Sequence, residues 1–202
     1  MAKEPKTQRP RVIINVRADP EYWKALGRFV EAFASIETVM FALLAFYAKM
    51  PNDRAKAVFS GTRVDASVKL IRRLIAVDDP GEERRRELEL VFPQLGAIND
   101  ARNDIIHYGS WVTNEGRMST NVSRAHLPQN VTWRPVSTAV LDAMTEDLHA
   151  IATHLVLHRQ LPSAEDARDR LARLLMPEPW HYRPPQDQAM KSSKPARPDQ
   201  PR

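Results

Sequence analysis

Between Asp19 and Tyr47 apolar side chains return at intervals of three and four, through Phe29, Phe33, Ile36, Met40, Leu43, Leu44 and Tyr47. That interval lines one face of an α-helix and predicts a long amphipathic one. Asp19-Pro20-Glu21 opens it with a capping carboxylate, a proline at the first helical position and an acid in the first turn, and Met50-Pro51 stops it. A second helical region is predicted over 53–77, with Val64, Val68, Ile71, Leu74 and Ile75 as its stripe and a weak point at Ser60-Gly61-Thr62. Asp79-Pro80-Gly81 turns the chain. A third helix starts at Glu82 and carries Leu88, Val91, Leu95, Ile98, Ile105 and Ile106; Pro93 should kink or split it, and Gly109 is placed to end it just after His107. The charged run Glu82 to Glu87 reads as a solvated face. Ser137 caps a helix through about Gln160, with Val140, Leu141, Met144, Leu148, Ile151 and Leu155 inward, and Ser163 caps a shorter one, "SAEDARDRLARLL", ending before Met176-Pro177.

Elsewhere the period shortens to that of strands. Arg11 to Arg17, "RVIINVR", is a β-branched run and predicts a short strand. "SWVTNEGRMSTNV" places the turn residues Asn114-Glu115-Gly116 between two β-prone runs and reads as a hairpin, and "VTWRP" offers a further strand. The expected fold is therefore mainly α: an up-and-down helical bundle with a short N-terminal strand and a small β-hairpin inserted before the last long helix. Residues 1–10 are charged and proline-bearing and are expected to be disordered; 11–176 form the domain; 177–202, with seven prolines interspersed with Lys and Arg, form a disordered basic tail.

Composition narrows the chemistry. The 202 residues, 43% of them hydrophobic, suffice for one domain with a core. With no cysteine, disulfides, thiolate zinc sites, iron–sulfur clusters and cysteine nucleophiles are excluded. The first residues are polar and lack the apolar stretch of a secretory signal, and the longest uncharged apolar run, Thr38 to Ala48, falls well short of the ~20 residues of a membrane span. A cytoplasmic protein with no membrane partner is expected. A net charge of +5 and a pI near 9.7 favour a polyanionic partner, although the tails hold much of the excess.

Chemistry concentrates in Asn99 to Trp111, "NDARNDIIHYGSW". With 22 Arg and 6 His in the chain, about 0.65 Arg-x4-His pairs arise by chance; requiring Asn directly after the Arg lowers this to about 0.02. The triplet Arg102, Asn103 and His107 is informative where the pair alone is not. "RNDIIH", near the end of a helix with two long helices before it and a return helix at 137–160, resembles the R-x4-6-H motif of the HEPN superfamily, the likeness covering roughly residues 20–160. Active members are metal-independent endoribonucleases that build one composite cleft from both subunits of a dimer. The resemblance implies that His107 transfers protons, Arg102 binds phosphate and stabilises the transition state, and Asn103 positions them. It implies RNA as substrate, a toxin or defence effector as role, an antitoxin protein as a further partner, and no cofactor.

Helical geometry adds a condition. Five positions along a straight helix turn through about 140° and rise ~7.5 Å, so Arg102 and His107 do not share a face, whereas Asn103 and His107 do. The reading therefore requires a homodimer in which the two motifs meet across a two-fold axis. Two alternatives stand beside it. Arg102, Asn103 and His107 suit a helix C-terminus on electrostatic grounds alone, and the chain could be a non-catalytic HEPN-like module that binds a protein or nucleotide partner. Asp104 places a like charge beside an RNA backbone.

Glu37 falls between Phe33 and Met40 in the apolar stripe of the first helix, where an unpaired carboxylate is costly; it sits either at the stripe's edge or in the cleft, paired with Arg102 or Arg63. His154 and His158, at i and i+4, are half of a metal site without a third ligand, and no metal is expected. Trp23, Trp111 and Trp133 read as packing residues rather than base-stacking platforms.

Overall fold

In the computed structural model, which describes residue 12 and residues 19–78, 81–123, 125–127 and 130–160, five helices and a three-stranded antiparallel sheet make a mainly α protein. The elements are α1 (Pro20–Tyr47), α2 (Asn52–Phe59), α3 (Val64–Asp78), α4 (Glu82–Tyr108), β1 (Ser110–Thr113), β2 (Gly116–Thr120), β3 (Trp133–Pro135) and α5 (Thr138–Gln160). The expected arm at 1–10, the helix after Ser163 and the tail at 177–202 lie outside the described residues.

The Asp19 carboxylate accepts from the Tyr22 N–H at 3.1 Å, so α1 starts as its sequence directs. All seven residues of its expected stripe are buried. They pack against α5, where Leu141, Met144, Leu148, Ile151 and Leu155 face them, and against Val64, Val68, Ile71 and Ile75 of α3. By length and composition α1 could cross a membrane; here its apolar stripe is covered by neighbouring helices. Lys49, just past its end, takes a left-handed φ of +52°.

The weak point at 60–62 is a break: α2 ends at Phe59, and Gly61, at φ +76°, turns the chain into α3. Pro93 does not split α4, which continues through it as one helix of 27 residues. Five of the six expected inward residues of α4 are buried, but Ile106 is 44% exposed, because the stripe's drift around the helix has carried it off the core by the last turn. Two side-chain bridges fasten the helices: Arg28 to Asp142 (2.6 Å) between α1 and α5, and a two-pronged Arg72–Glu89 pair (2.7 Å each) between α3 and α4.

The hairpin forms with Trp111 opposite Met118 and Ser110 opposite Ser119, and β3 pairs on the other side of β2 with Pro135 opposite Met118. The expected N-terminal strand is not seen. Of Arg11 to Arg17 only Val12 is described, and it makes one antiparallel bridge with Thr113 on the edge of β1. The rest of that run lies outside the described residues.

Candidate functional site

Three elements converge where α4 ends. Gly109 closes the helix, its N–H bonded to the Ile105 carbonyl at 2.9 Å, and at φ +71° it turns the chain directly into β1. The sheet is pinned to the start of α1: the Tyr22 hydroxyl donates to Ser110 Oγ (2.8 Å), and Arg117 of β2 also donates to that oxygen (3.3 Å). The Arg117 guanidinium lies 4.0 Å from the Tyr22 ring centre and reaches the capping Asp19 at 3.6 Å. The last turn of α4 is thus held against α1 by a fixed hairpin.

Arg102 is half-buried and its guanidinium lies over the Phe33 ring, 5.1 Å from the centroid. One arm donates to Asn103 Oδ1 at 3.1 Å. An arginine resting on an aromatic face and tied at one edge loses little further freedom when it binds an anion. His107 is exposed, its ring edge-on to Tyr108 with centroids 6.4 Å apart. The structure brings Arg102 and Asn103 together; among the described residues no hydrogen bond joins either to His107, and for Arg102 this follows from the 140° offset.

Asp104 does not stand as a bare negative charge. Its carboxylate is largely covered and pairs with Arg134 of β3 at 3.4 Å, so the sheet that follows the motif neutralises the acid within it. Arg102, Arg117 and Arg134 all lie within this corner of the molecule. Trp111, read from sequence as a packing residue, is 49% exposed four residues beyond His107, and Trp23 is 58% exposed on α1.

Glu37 and Arg63 do not join the site. Glu37 is exposed, and among the described residues it forms no ion pair with Arg102 or Arg63; Arg63 pairs instead with Asp65 of its own helix start at 3.4 Å. Ile36 lies at the centre of the α1 stripe, and the next residue, 100° further round, falls on its rim.

The structure reveals a second polar cluster at the other end of the bundle. The Tyr47 hydroxyl lies 2.6 Å from His158 Nε2, and His158 Nδ1 lies 2.7 Å from Glu87 Oε2. Arg84 donates to the His158 carbonyl at 2.9 Å and packs on the Phe46 ring. Burial, reinforced by the Arg84 charge, holds His158 down to about 4, and burial followed by the charge of His158 does the same for His154. Neutral His158 therefore donates from Nδ1 to Glu87 and accepts at Nε2 from Tyr47, whose hydroxyl burial keeps protonated. Both ring nitrogens are engaged, so His158 has no lone pair to offer a metal alongside His154. Its place in sequence was a clue: Leu148, Ile151, Leu155 and His158 follow one helical stripe. The partners were not legible, since Arg84 and Glu87 belong to a run that reads as solvated.

Comparison with protein families, with curated proteins and with solved structures finds no match for this chain.

Proposed function

We propose that this chain is a metal-independent endoribonuclease with a HEPN-like up-and-down bundle, acting in the cytoplasm as a homodimer and serving as a toxin or defence effector, held in check by an antitoxin protein. The observation that carries the reading is the end of α4. An arginine preset by Phe33 and Asn103 stands about 1.4 turns from an exposed histidine, and the only acid inside the motif is already paired.

Cleavage of RNA without a metal needs a base for the ribose 2′-hydroxyl, an acid for the departing 5′-oxygen and positive charge on the phosphorane between them. The 2′-oxygen attacks phosphorus as His107 takes its proton; the bond to the 5′-oxygen breaks as that oxygen receives a proton. Arg102 presents a planar fork that matches two phosphate oxygens. Asn103, bonded to Arg102 and on the His107 face of α4, sets the guanidinium's orientation. Because Arg102 and His107 cannot meet within one chain, a two-fold dimer supplies the single cleft on its axis with both imidazoles, one as base and one as acid, and with Arg102 from both copies. Exposed Ile106 and Trp111, flanking His107 in sequence, offer apolar surface for that contact.

The test is cleavage of structured RNA in EDTA by the wild type, His107→Ala and Arg102→Ala. Each substitution is expected to lower the rate about 100-fold or more, the usual worth of a positioned proton-transfer or charge-stabilising group. Cleavage indifferent to both substitutions sinks the proposal, and an intact dimer that cuts no RNA assigns the chain to the non-catalytic alternative. In cells, expression of the wild type should arrest growth and His107→Ala should not; equal toxicity contradicts the assignment.

A further inference from the structure

A cavity of about 330 Å³ lies between α3 and α4, at the lower end of the range for small-ligand sites. Its floor is apolar, made by Val68, Phe92 and Pro93. Gly96 opens it: a Cβ built there would meet nothing within 4 Å, so the empty volume continues over the helix backbone. The cavity's orientation relative to the motif follows from α4 itself. Gly96, Asn99, Asn103 and His107 recur at three, four and four residues and share one helical face, with Asn99 about 12 Å along the axis from His107. A strand of nucleic acid whose scissile phosphate reached His107 would run down this face into the cavity.

The groups around the cavity suit one nucleotide. Arg72 rests over the Phe92 ring, 5.5 Å from its centroid, while Glu89 holds its fork, which makes a fixed planar wall of the kind on which bases stack. Asp65 and Asn99 supply acceptor and donor atoms at the rim for a base edge. Charge selects an anion: Arg72 is offset by Glu89 and Asp65 by Arg63, and Lys69, which has no ion-pair partner among the described residues, remains as the uncompensated cation. Resting on the ribonuclease reading, we infer that this cavity binds an unpaired nucleotide of the RNA substrate a short distance from the scissile bond, with Lys69 at its phosphate and its base between α3 and α4.

The test measures binding of a fluorescein-labelled single-stranded RNA decamer to the full chain carrying His107→Ala, so that nothing is cut, with and without Gly96→Leu or Lys69→Ala. The leucine projects into open space and is expected to weaken binding about tenfold or more, while its thermal melt stays at or above that of the parent. Lys69→Ala should reduce the dependence of log affinity on log salt by about 0.7, one phosphate contact on a single strand. Unchanged affinity in both variants, or no binding of the decamer by the parent, overturns the inference. Displacement of the decamer by AMP or UMP at matching concentration overturns the assignment to RNA in favour of a free nucleotide. Should Gly96→Leu fail to fold, Lys69→Glu decides the question by the same affinity criterion. Binding that responds to these variants in a chain that cuts no RNA when His107 is restored retains the nucleotide site and rejects the nuclease.

Discussion

Tyr47, His158 and Glu87 form a hydrogen-bonded chain in which both ring nitrogens of His158 are engaged, and removing Tyr47's hydroxyl strands one of them. Tyr47→Phe should cost about 1–3 kcal/mol in urea denaturation, since His158 Nε2 stays buried without a donor. The same histidine gives stability a pH dependence. Its folded value of about 4 lies below the ordinary 6.5, so between these values the unfolded chain binds more protons than the folded one. Its contribution is complete above pH 6.5 and is lost as the pH falls to about 4, on the order of 3 kcal/mol in all. Unfolding free energies measured from pH 7 to 4 should decline accordingly, and His158→Gln should flatten the slope. An unchanged slope in that variant removes His158 as the source. The residue motif at 102–107 was legible in sequence as a set of types, and the structure adds what neighbours do to them: Phe33 beneath Arg102 and Arg134 against Asp104 come from elements 69 and 30 residues away along the chain.

At the scale of elements, helices with a continuous stripe were readable because burial repeats with the backbone's own period, and all the expected inward positions of α1 are buried. What the period cannot report is how far a neighbour covers the stripe's rim, and Glu37 and Ile106, each one step off centre, are both exposed. Helix ends carry the remaining strain. Lys49 holds a φ of +52° after α1, a conformation that costs a side-chain-bearing residue about 1 kcal/mol, and its ion pair with Asp78 is exposed and worth little. Lys49→Gly should therefore raise the thermal midpoint. Gly96→Ala should do likewise, by about 0.5–1 kcal/mol, because it removes a mid-helix glycine where nothing obstructs a methyl group. Gly109→Ala should act in the opposite sense, since its φ of +71° is imposed by the turn into β1.

For the whole molecule, the proposed ribonuclease reading stands or falls with dimerisation. Arg102 and His107 point about 140° apart on one helix, so a protein that sediments as a monomer at assay concentrations while still cutting RNA would contradict the composite site. Substituting Trp111 by Glu should weaken association and activity together, checked by sedimentation and by the EDTA cleavage assay. The proposed second copy rests on the mismatch between motif and helix pitch, since no stripe or spacing within one chain can place it.

The length of α1 has a practical consequence. Tyr22, beside the hairpin that fixes the end of α4, and Tyr47, in the buried Glu87–His158 chain, are 25 residues apart on one helix, about 38 Å. Changes at sites so far apart combine additively. Tyr47→Phe thus offers a conditional allele: a cell carrying it would lose the protein's effect on warming through unfolding and recover it on cooling, with Arg102, Asn103 and His107 left intact. Paired with His107→Ala, which should be inert at every temperature, it would let a geneticist distinguish a harm caused by chemistry from one caused by mere accumulation of the chain.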